Sequence, residues 1–249
     1  MIRVEDLHKS FDGHEVLRGV SFQVGKGEIL GLIGMSGYGK SVLLKHIAGL
    51  IRPDRGRVII DGNDMCCLRH KDLERLRSRF GFLFQNGALF DSLTVFENVA
   101  FPLREKTKLS DQEIAEKVLY ELDQVGLAGA EHKYPAEISG GMIRRAALAR
   151  ALVREPEIML FDEPTTGLDP IIAHHILNLI ESFHKRLKFT GMIVTHEMPK
   201  TFEIIQKVAL LYEGKILTVE TPAEILSSDD PIVHQFITGS IEGPIQYNY

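Results

Sequence analysis

Residues 34–41 read GMSGYGKS and match the pattern G-x-x-x-x-G-K-[ST]. They follow a continuous apolar run at 28–33 and precede an apolar stretch with helical spacing. Glycines let successive backbone N–H groups turn toward one anion, and the N-terminus of a following helix adds partial positive charge. A glycine turn that only joined a strand to a core helix would not need Lys40 and Ser41 together. The segment therefore predicts a buried strand, a phosphate-binding loop and a helix in succession.

This loop predicts how a nucleoside triphosphate would be held. Lys40 is expected to reach the β- and γ-phosphates, and the hydroxyl of Ser41 is expected to bind Mg²⁺. The residues expected to surround the phosphates are Gly34, Ser36, Gly37, Tyr38, Gly39, Lys40, Ser41 and Val42.

Two acidic residues end another apolar run, EIMLFDE at 157–163. Adjacent residues of a strand point to opposite faces, so we expect Asp162 and Glu163 to act differently. Asp162 is expected to hold Mg²⁺ through water, and Glu163 to orient and polarise the water that attacks the γ-phosphate. Without the loop at 34–41, a strand ending in Asp-Glu would indicate only a strand end in solvent.

The rest of the chain alternates between strand patterns and helical patterns. Three short segments near the N-terminus predict an antiparallel β subdomain. Four apolar runs with helical patterns between several of them predict a mostly parallel sheet covered by helices. These apolar runs lie at 28–33, 157–163, 191–197 and 207–214. Ser110 with Glu113 forms a capping box that opens a helix, within an inserted helical subdomain predicted at about 86–155.

Composition excludes several classes of protein. The formal net charge is −5, and the basic run at 69–79 is mixed with acidic and apolar residues at helical spacing, so no nucleic-acid partner is expected. Cys66 and Cys67 are adjacent, which suits neither a disulfide nor a metal site and fits a reducing compartment. No stretch approaches the roughly eighteen apolar residues of a membrane span. Any membrane contact is therefore expected to come through another subunit.

A second glycine-rich segment precedes a helical run at 138–152, ISGGMIRRAALARAL. Ser139, Gly140 and Gly141 there predict a second anion-binding helix N-terminus in the same chain, which suggests a composite site. With this motif the chain resembles the ATP-binding subunit of ABC transporters over essentially its whole length. The resemblance implies ATP and Mg²⁺ as cofactors and an α/β fold with a P-loop NTPase (RecA-like) core. It further implies one nucleotide-binding domain over 1–249, with a C-terminal extension at about 222–249.

In that family a head-to-tail dimer holds two ATP molecules, each between the phosphate loop of one subunit and the signature loop of the other. The resemblance implies that Ser139, Gly140 and Gly141 contact the ATP held by the partner, and that Asp169 couples the two sites.

The resemblance assigns three further roles to single residues. Phe11 matches the aromatic residue that stacks on adenine. Gln85 matches the glutamine that contacts Mg²⁺ and the attacking water and senses the membrane subunit. His196 matches the switch histidine that contacts the γ-phosphate; outside its motif, VTHE, a histidine after a strand would indicate little.

Three residues depart from the family pattern. Tyr38 occupies a position that is usually small, Val42 replaces a threonine, and Met142 replaces the signature glutamine. The phosphate ligands are retained, so the departures affect how the signature loop holds nucleotide and how fast the enzyme turns over.

In that family the segment after the glutamine forms the groove that receives the membrane permease. In this chain the corresponding residues lie within 82–105, FLFQNGALFDSLTVFENVAFPLRE. Together with the signature helix and the tail DPIVHQFITGSIEGP, this segment is similar to the ATPases of Mla/Mce-type lipid transporters. A simpler interpretation is a hydrophobic loop packed on its own core. The resemblance implies that the chain drives phospholipid movement between inner and outer membranes, as a homodimer at the cytoplasmic face of the inner membrane. The implied partners are an integral permease, an MCE-domain protein and a small cytosolic regulatory subunit.

Two other functions share these motifs. One is the ATPase of an importer for small solutes such as amino acids, which differs in its permease. The other is an ATP-driven clamp without a transport role, which usually carries long coiled-coil inserts or two tandem cassettes that this chain lacks.

The end of the chain supports two interpretations. Prolines interrupt it, so a disordered end is one expectation. The other is that residues 243–249 cross the dimer and that Tyr247 or Tyr249 docks on the partner subunit.

Overall fold

The computed structural model describes residues 2–246, without the side chain of Pro199, so both C-terminal tyrosines lie outside the described residues. The chain divides into two compact units. Unit 1 contains residues 1–68 and 192–249, and unit 2 contains residues 69–191. Within the described part of the chain, no helix is both long and apolar enough to cross a membrane.

A four-stranded antiparallel sheet forms the N-terminal part of unit 1, in which the strand at 2–11 pairs with the strands at 14–24 and 55–60, and the latter pairs with the strand at 63–64. Its strands are β1 (Ile2–Phe11), β2 (His14–Val24), β4 (Arg55–Ile60) and β5 (Asn63–Asp64). Ile2 is opposite Val24 on one side and Ile60 on the other, and all three side chains are buried. The pairing confirms the antiparallel subdomain expected from the sequence.

A second set of strands in unit 1 positions the phosphate loop. Strand β3 (Ile29–Ile33) is buried along its whole length and pairs in parallel with β9 (Lys207–Tyr212). Strand β9 pairs antiparallel with β10 (Lys215–Glu220), and helix α1 (Lys40–Ile47) follows β3 across the loop. The strand, loop and helix predicted from residues 28–47 are thus formed in that order.

The C-terminal part of unit 1 is ordered rather than disordered through residue 246. It contains α7 (Met198–Thr201), α8 (Pro222–Leu226) and α9 (Pro231–Thr238). The amide of Gln235, 3% exposed, accepts from Ile245 N at 2.7 Å and donates to Ile245 O at 3.1 Å. Because this side chain satisfies both backbone polar groups of one residue, it fixes the tail against α9.

Unit 2 is mainly helical. Its helices are α2 (His70–Arg77), α3 (Val95–Lys106), α4 (Asp111–Gln124), α5 (Gly140–Leu152) and α6 (Pro170–Leu187), with a 3₁₀ turn at Pro135–Glu137. Strands β6 (Phe80–Leu83) and β7 (Ile158–Asp162) pair in parallel, with Phe80 opposite Ile158. Strand β8 (Thr190–Val194) begins in unit 2 and ends in unit 1.

Capping boxes mark where two helices of unit 2, α3 and α4, begin. Ser110 accepts from Glu113 N at 3.3 Å, and the Glu113 carboxylate accepts from Ser110 N at 2.7 Å, as the sequence predicts. Thr94 and Glu97 make the same reciprocal pair at the start of α3. Each box satisfies helix N–H groups that have no partner within the helix.

A buried histidine in α1 makes the stability of the protein depend on pH. His46 is 2% exposed, and its Nδ1 lies 3.2 Å from Ile51 O, so this nitrogen is the donor in the neutral ring. Its Nε2 is buried without a hydrogen-bond partner among the described residues. Burial therefore lowers the pKa of His46 from 6.5 to about 4.

Because the folded state resists protonation of His46, the contribution of this residue to the free energy of unfolding is complete above pH 6.5. That contribution falls as the pH drops from 6.5 toward 4. We expect His46 to remove about 2 kcal/mol of unfolding free energy between pH 7 and pH 5. Urea unfolding of the wild type and of His46→Gln at both pH values measures this loss. His132→Gln, at an exposed position, is the control. An equal pH dependence in the wild type and His46→Gln would contradict the assignment.

Candidate functional site

The phosphate loop is packed so closely that glycine is required at its first position. A Cβ on Gly34 would meet the carbonyl oxygen of Leu211 in β9. Gly37 and Gly39 have φ of 84° and 93°, in the left-handed region that other residues avoid. Around Gly37 a Cβ would meet nothing within 4 Å, so the loop is open there. The backbone can therefore turn its N–H groups toward a ligand.

Lys40 is folded back over the loop. Its Nζ donates to Gly34 O at 2.7 Å and to Met35 O at 2.8 Å, and the residue is only 6% exposed. The ammonium group of Lys40, the first residue of α1, is thus held against the backbone of the loop. The helix has no side-chain cap and no acidic residue in its first turn, which favours an anion at this end.

The remaining predicted loop residues differ in exposure. Ser36 is exposed, whereas Ser41 and Val42 in the first turn of α1 are half-buried. Tyr38 is half-buried and packs edge-to-face on Tyr212, with ring centroids 5.7 Å apart. The large side chain at this position is therefore accommodated by a second aromatic residue at the end of β9.

Two other predicted residues of unit 1 are exposed. Phe11, at the end of β1, is 43% exposed, and Lys9 Nζ lies 5.3 Å from its ring centroid. His196 follows β8 and is exposed. The adenine-stacking role of Phe11 and the γ-phosphate role of His196 stay predictions.

The two acidic residues after the apolar run at 157–161 differ in backbone conformation. Asp162 is the last residue of β7 and is 7% exposed. Glu163 has left the strand and has a φ of 48°. Strand alternation therefore ends at Asp162, because the backbone turns before Glu163, and the different roles expected for the two residues stay predictions. A non-glycine residue in the left-handed region is strained, and such strain concentrates at functional sites.

Glu163 is held by two side chains of unit 2. Gln85 Nε2 donates to Glu163 Oε2 at 2.8 Å, and Thr166 Oγ1 donates to the same oxygen at 3.1 Å. The structure thus brings together two residues that the sequence assigned to one reaction, Gln85 and Glu163. Because Gln85 donates through nitrogen, its side-chain oxygen is the end suited to a cation. Thr166 was not identified from the sequence.

The signature segment begins α5 as expected. Ser139 is the N-cap and accepts from Met142 N at 3.3 Å, while Gly140 and Gly141 form the first turn. No acidic residue lies in that turn, so this helix end also suits an anion. Asp169 is the N-cap of α6 and accepts from Ile171 N at 3.1 Å and Ile172 N at 3.0 Å. Contacts of Ser139, Gly140, Gly141 and Asp169 with a partner subunit stay predictions.

An apolar groove of about 320 Å³ lies on unit 2, lined by residues on both sides of Gln85 in the sequence and by residues at the end of α5. Its lining includes three exposed aromatic residues, Phe84, Phe90 and Phe101, and the rings of Phe90 and Phe101 are 4.9 Å apart. Asn98 is fully buried and binds both N–H and C=O of Phe90. These aromatic side chains are held by the fold and still exposed, so the loop is more than a cover for its own core.

More than half of the chain matches the model of a known protein family. Residues 17–166 match the model of the family described as "ABC transporter". The chain is 40% identical over 249 residues to the intermembrane phospholipid transport system ATP-binding protein MlaF of Haemophilus influenzae. This alignment covers the whole chain and 94% of the MlaF protein.

Another relative carries a different description. The chain is 44% identical over 244 residues to the probable ribonucleotide transport ATP-binding protein mkl of Mycobacterium leprae, over 98% of this chain and 70% of that protein.

A solved structure resembles most of the chain. The ATP-binding cassette MJ0796, determined as a dimer in a post-hydrolysis state with ADP and Pi, has a TM-score of 0.83 and 30% sequence identity. The match covers 89% of this chain and 99% of the MJ0796 chain. It confirms the predicted α/β fold class with a P-loop core.

Proposed function

Because the chain belongs to the ABC transporter family of ATP-binding proteins, we propose that it drives phospholipid movement between inner and outer membranes. As a member of this family the chain is an ATPase. The observation that carries the proposal is the 40% identity to MlaF across all 249 residues. The similarity to mkl extends over 70% of that protein.

The loop at 34–41 binds the triphosphate of ATP in this proposal. Backbone N–H groups of the loop and the start of α1 hold the phosphates, and Lys40 exchanges its two carbonyl acceptors for phosphate oxygens. Phe11 stacks on adenine, and His196 contacts the γ-phosphate. Glu163, held by Gln85 and Thr166, then accepts a hydrogen bond from the attacking water and polarises it.

Magnesium is the proposed metal because the assigned residues supply the ligands that it prefers. Ser41 offers a hydroxyl, Gln85 a side-chain carbonyl oxygen, and Asp162 a carboxylate that acts through water. Such oxygen ligands suit Mg²⁺, which keeps several waters and shares phosphate oxygens instead of filling an all-protein cage. When bound, the ion neutralises charge on the phosphates.

We place a second copy of the chain opposite the first. The glycine-rich start of α5 then contacts the γ-phosphate held by the partner, with Asp169 beside it. ATP bound by both subunits stabilises the closed dimer, because the closed state gains contacts that the open state lacks. Hydrolysis removes those contacts and allows opening.

The groove on unit 2 is the proposed contact with an integral permease. Its exposed phenylalanines supply the apolar anchors typical of binding hot spots. Through that permease the chain lies at the cytoplasmic face of the inner membrane, together with an MCE-domain protein. A small cytosolic regulatory subunit is a further proposed partner.

Co-purification tests the transport proposal directly. The chain is tagged in its native host, membranes are solubilised in mild detergent, and proteins and lipids are identified by mass spectrometry. Recovery of a permease, an MCE-domain protein and phospholipid is the expected result. A different permease with a solute-binding protein would transfer the function to small-solute or ribonucleotide transport, and the absence of any membrane protein would favour a clamp.

Loss of an aromatic anchor should weaken assembly without affecting nucleotide. We expect Phe101→Ala to reduce recovery of the permease at least tenfold, since truncating a hot-spot residue costs about 2 kcal/mol or more. ATP affinity of the full chain should change less than twofold. Tyr134→Ala, at an aromatic position that is 46% exposed outside the groove lining, is the control. Equal recovery with Phe101→Ala and wild type would exclude this groove as the docking site.

A further inference from the structure

A buried arginine in the signature helix contacts the backbone near both donors to Glu163. Arg144 lies in α5, five residues after Ser139, and is 6% exposed. Its Nη1 donates to Phe84 O at 3.1 Å, and its Nη2 donates to Thr166 O at 3.1 Å. One planar guanidinium therefore joins two loops that are otherwise distant in the sequence.

The two carbonyl groups belong to the residues that control Glu163. Phe84 immediately precedes Gln85, whose amide donates to Glu163 Oε2. Thr166 itself donates to that oxygen through its hydroxyl. Any shift of either carbonyl would move a donor of the Glu163 carboxylate.

Core packing alone does not explain the choice of arginine. Within residues 2–246 the structure gives Arg144 two carbonyl partners and no carboxylate partner. Burial lowers the pKa of Arg144, so the surroundings disfavour its charge. A long apolar side chain would fill the same space without that cost, but it could not hold two carbonyl groups.

From this geometry we propose that Arg144 is a positioning residue for hydrolysis, which fixes Glu163 from the signature helix by way of Gln85 and Thr166. Phe84 also lines the apolar groove, so the same guanidinium restrains a residue of the proposed permease contact. The inference rests on the proposed role of Glu163 and adds a residue that acts through it.

The matched control is the next residue along the helix. Arg145 Nη1 also donates to two backbone carbonyls, Val125 O and Gly126 O, each at 2.8 Å. These carbonyls lie at the end of α4 and do not adjoin Gln85 or Thr166. Arg144→Met and Arg145→Met thus remove the same kind of bond from different loops.

The test measures kcat and KM for ATP with the full chain. We expect Arg144→Met to lower kcat roughly 10-fold, the scale of a small misplacement of reacting groups, with KM changed less than twofold. Arg144→Lys, which reaches one carbonyl, should regain part of kcat and serves as the measured variant if Arg144→Met does not fold. Arg145→Met should keep kcat within twofold, whatever its effect on thermal stability.

A double variant distinguishes this inference from the role of Glu163. If Arg144 acts through Glu163, adding Arg144→Met to Glu163→Gln should lower the residual rate less than twofold, because the effects of coupled residues are not additive. Full additivity would overturn the inference, as would an unchanged kcat in Arg144→Met and Arg144→Lys, or equal losses in Arg144→Met and Arg145→Met. Normal hydrolysis by Glu163→Gln alone would instead overturn the proposed role of Glu163.

Discussion

Replacing Glu163 by glutamine is expected to lower the rate of ATP hydrolysis by about 10²- to 10⁴-fold, the usual contribution of a positioned general base. The amide retains the shape of the side chain and one oxygen for the hydrogen bonds from Gln85 and Thr166. It loses the negative charge that polarises water. Because the phosphate loop is unchanged, ATP affinity should remain within a few-fold of wild type. Single-turnover hydrolysis and equilibrium ATP binding measure the two quantities separately.

A second carboxylate of unit 2 provides the control for this substitution. Glu157→Gln removes a charge at an exposed position, where Glu157 pairs with Arg79. It should leave hydrolysis within twofold of wild type, since neither Glu157 nor Arg79 is assigned a role in nucleotide binding or hydrolysis. Near-normal hydrolysis by Glu163→Gln would refute the role of Glu163 as the base.

The sequence predicts best those parts of the fold whose signals are local. The strand before the phosphate loop is recognisable because the run ILGLI contains no polar side chain. The structure buries all five residues of this run in β3. The capping box at Ser110 is recognisable because both of its partners lie within four residues. In each case a short segment contains the whole pattern by which its conformation is recognised.

The network around Glu163 could not be predicted because its partners are distant in the sequence. Gln85 and Glu163 are 78 residues apart, and Arg144 is 60 residues from Phe84. The resemblance to a family suggested Gln85, but no spacing rule identifies an arginine that binds backbone carbonyls. The turn at Glu163 was missed for another reason. The left-handed backbone conformation at this position occurs in a residue other than glycine, so the sequence contains no local signal for it.

Replacing Lys40 by alanine is expected to weaken ATP binding on the order of 10- to 100-fold. Hydrogen bonds to charged groups contribute about 1.5–3 kcal/mol, and removing the ammonium group leaves the phosphates without this donor. The charge is also held at the start of α1, where it adds to the helix dipole. Equilibrium binding of ATP to the full chain, with Mg²⁺ present, measures the change.

Lys45 separates the effect of position from the effect of charge. It lies in the last turn of the same helix and is exposed, so Lys45→Ala removes the same charge without altering the loop. We expect ATP affinity within twofold of wild type for that variant. Lys40→Ala also deprives Gly34 O and Met35 O of their donor, and thermal unfolding measures any cost to the fold. A folded Lys40→Ala chain with normal ATP affinity would show that phosphate binding does not need this ammonium group. That result would contradict the phosphate-binding role of Lys40.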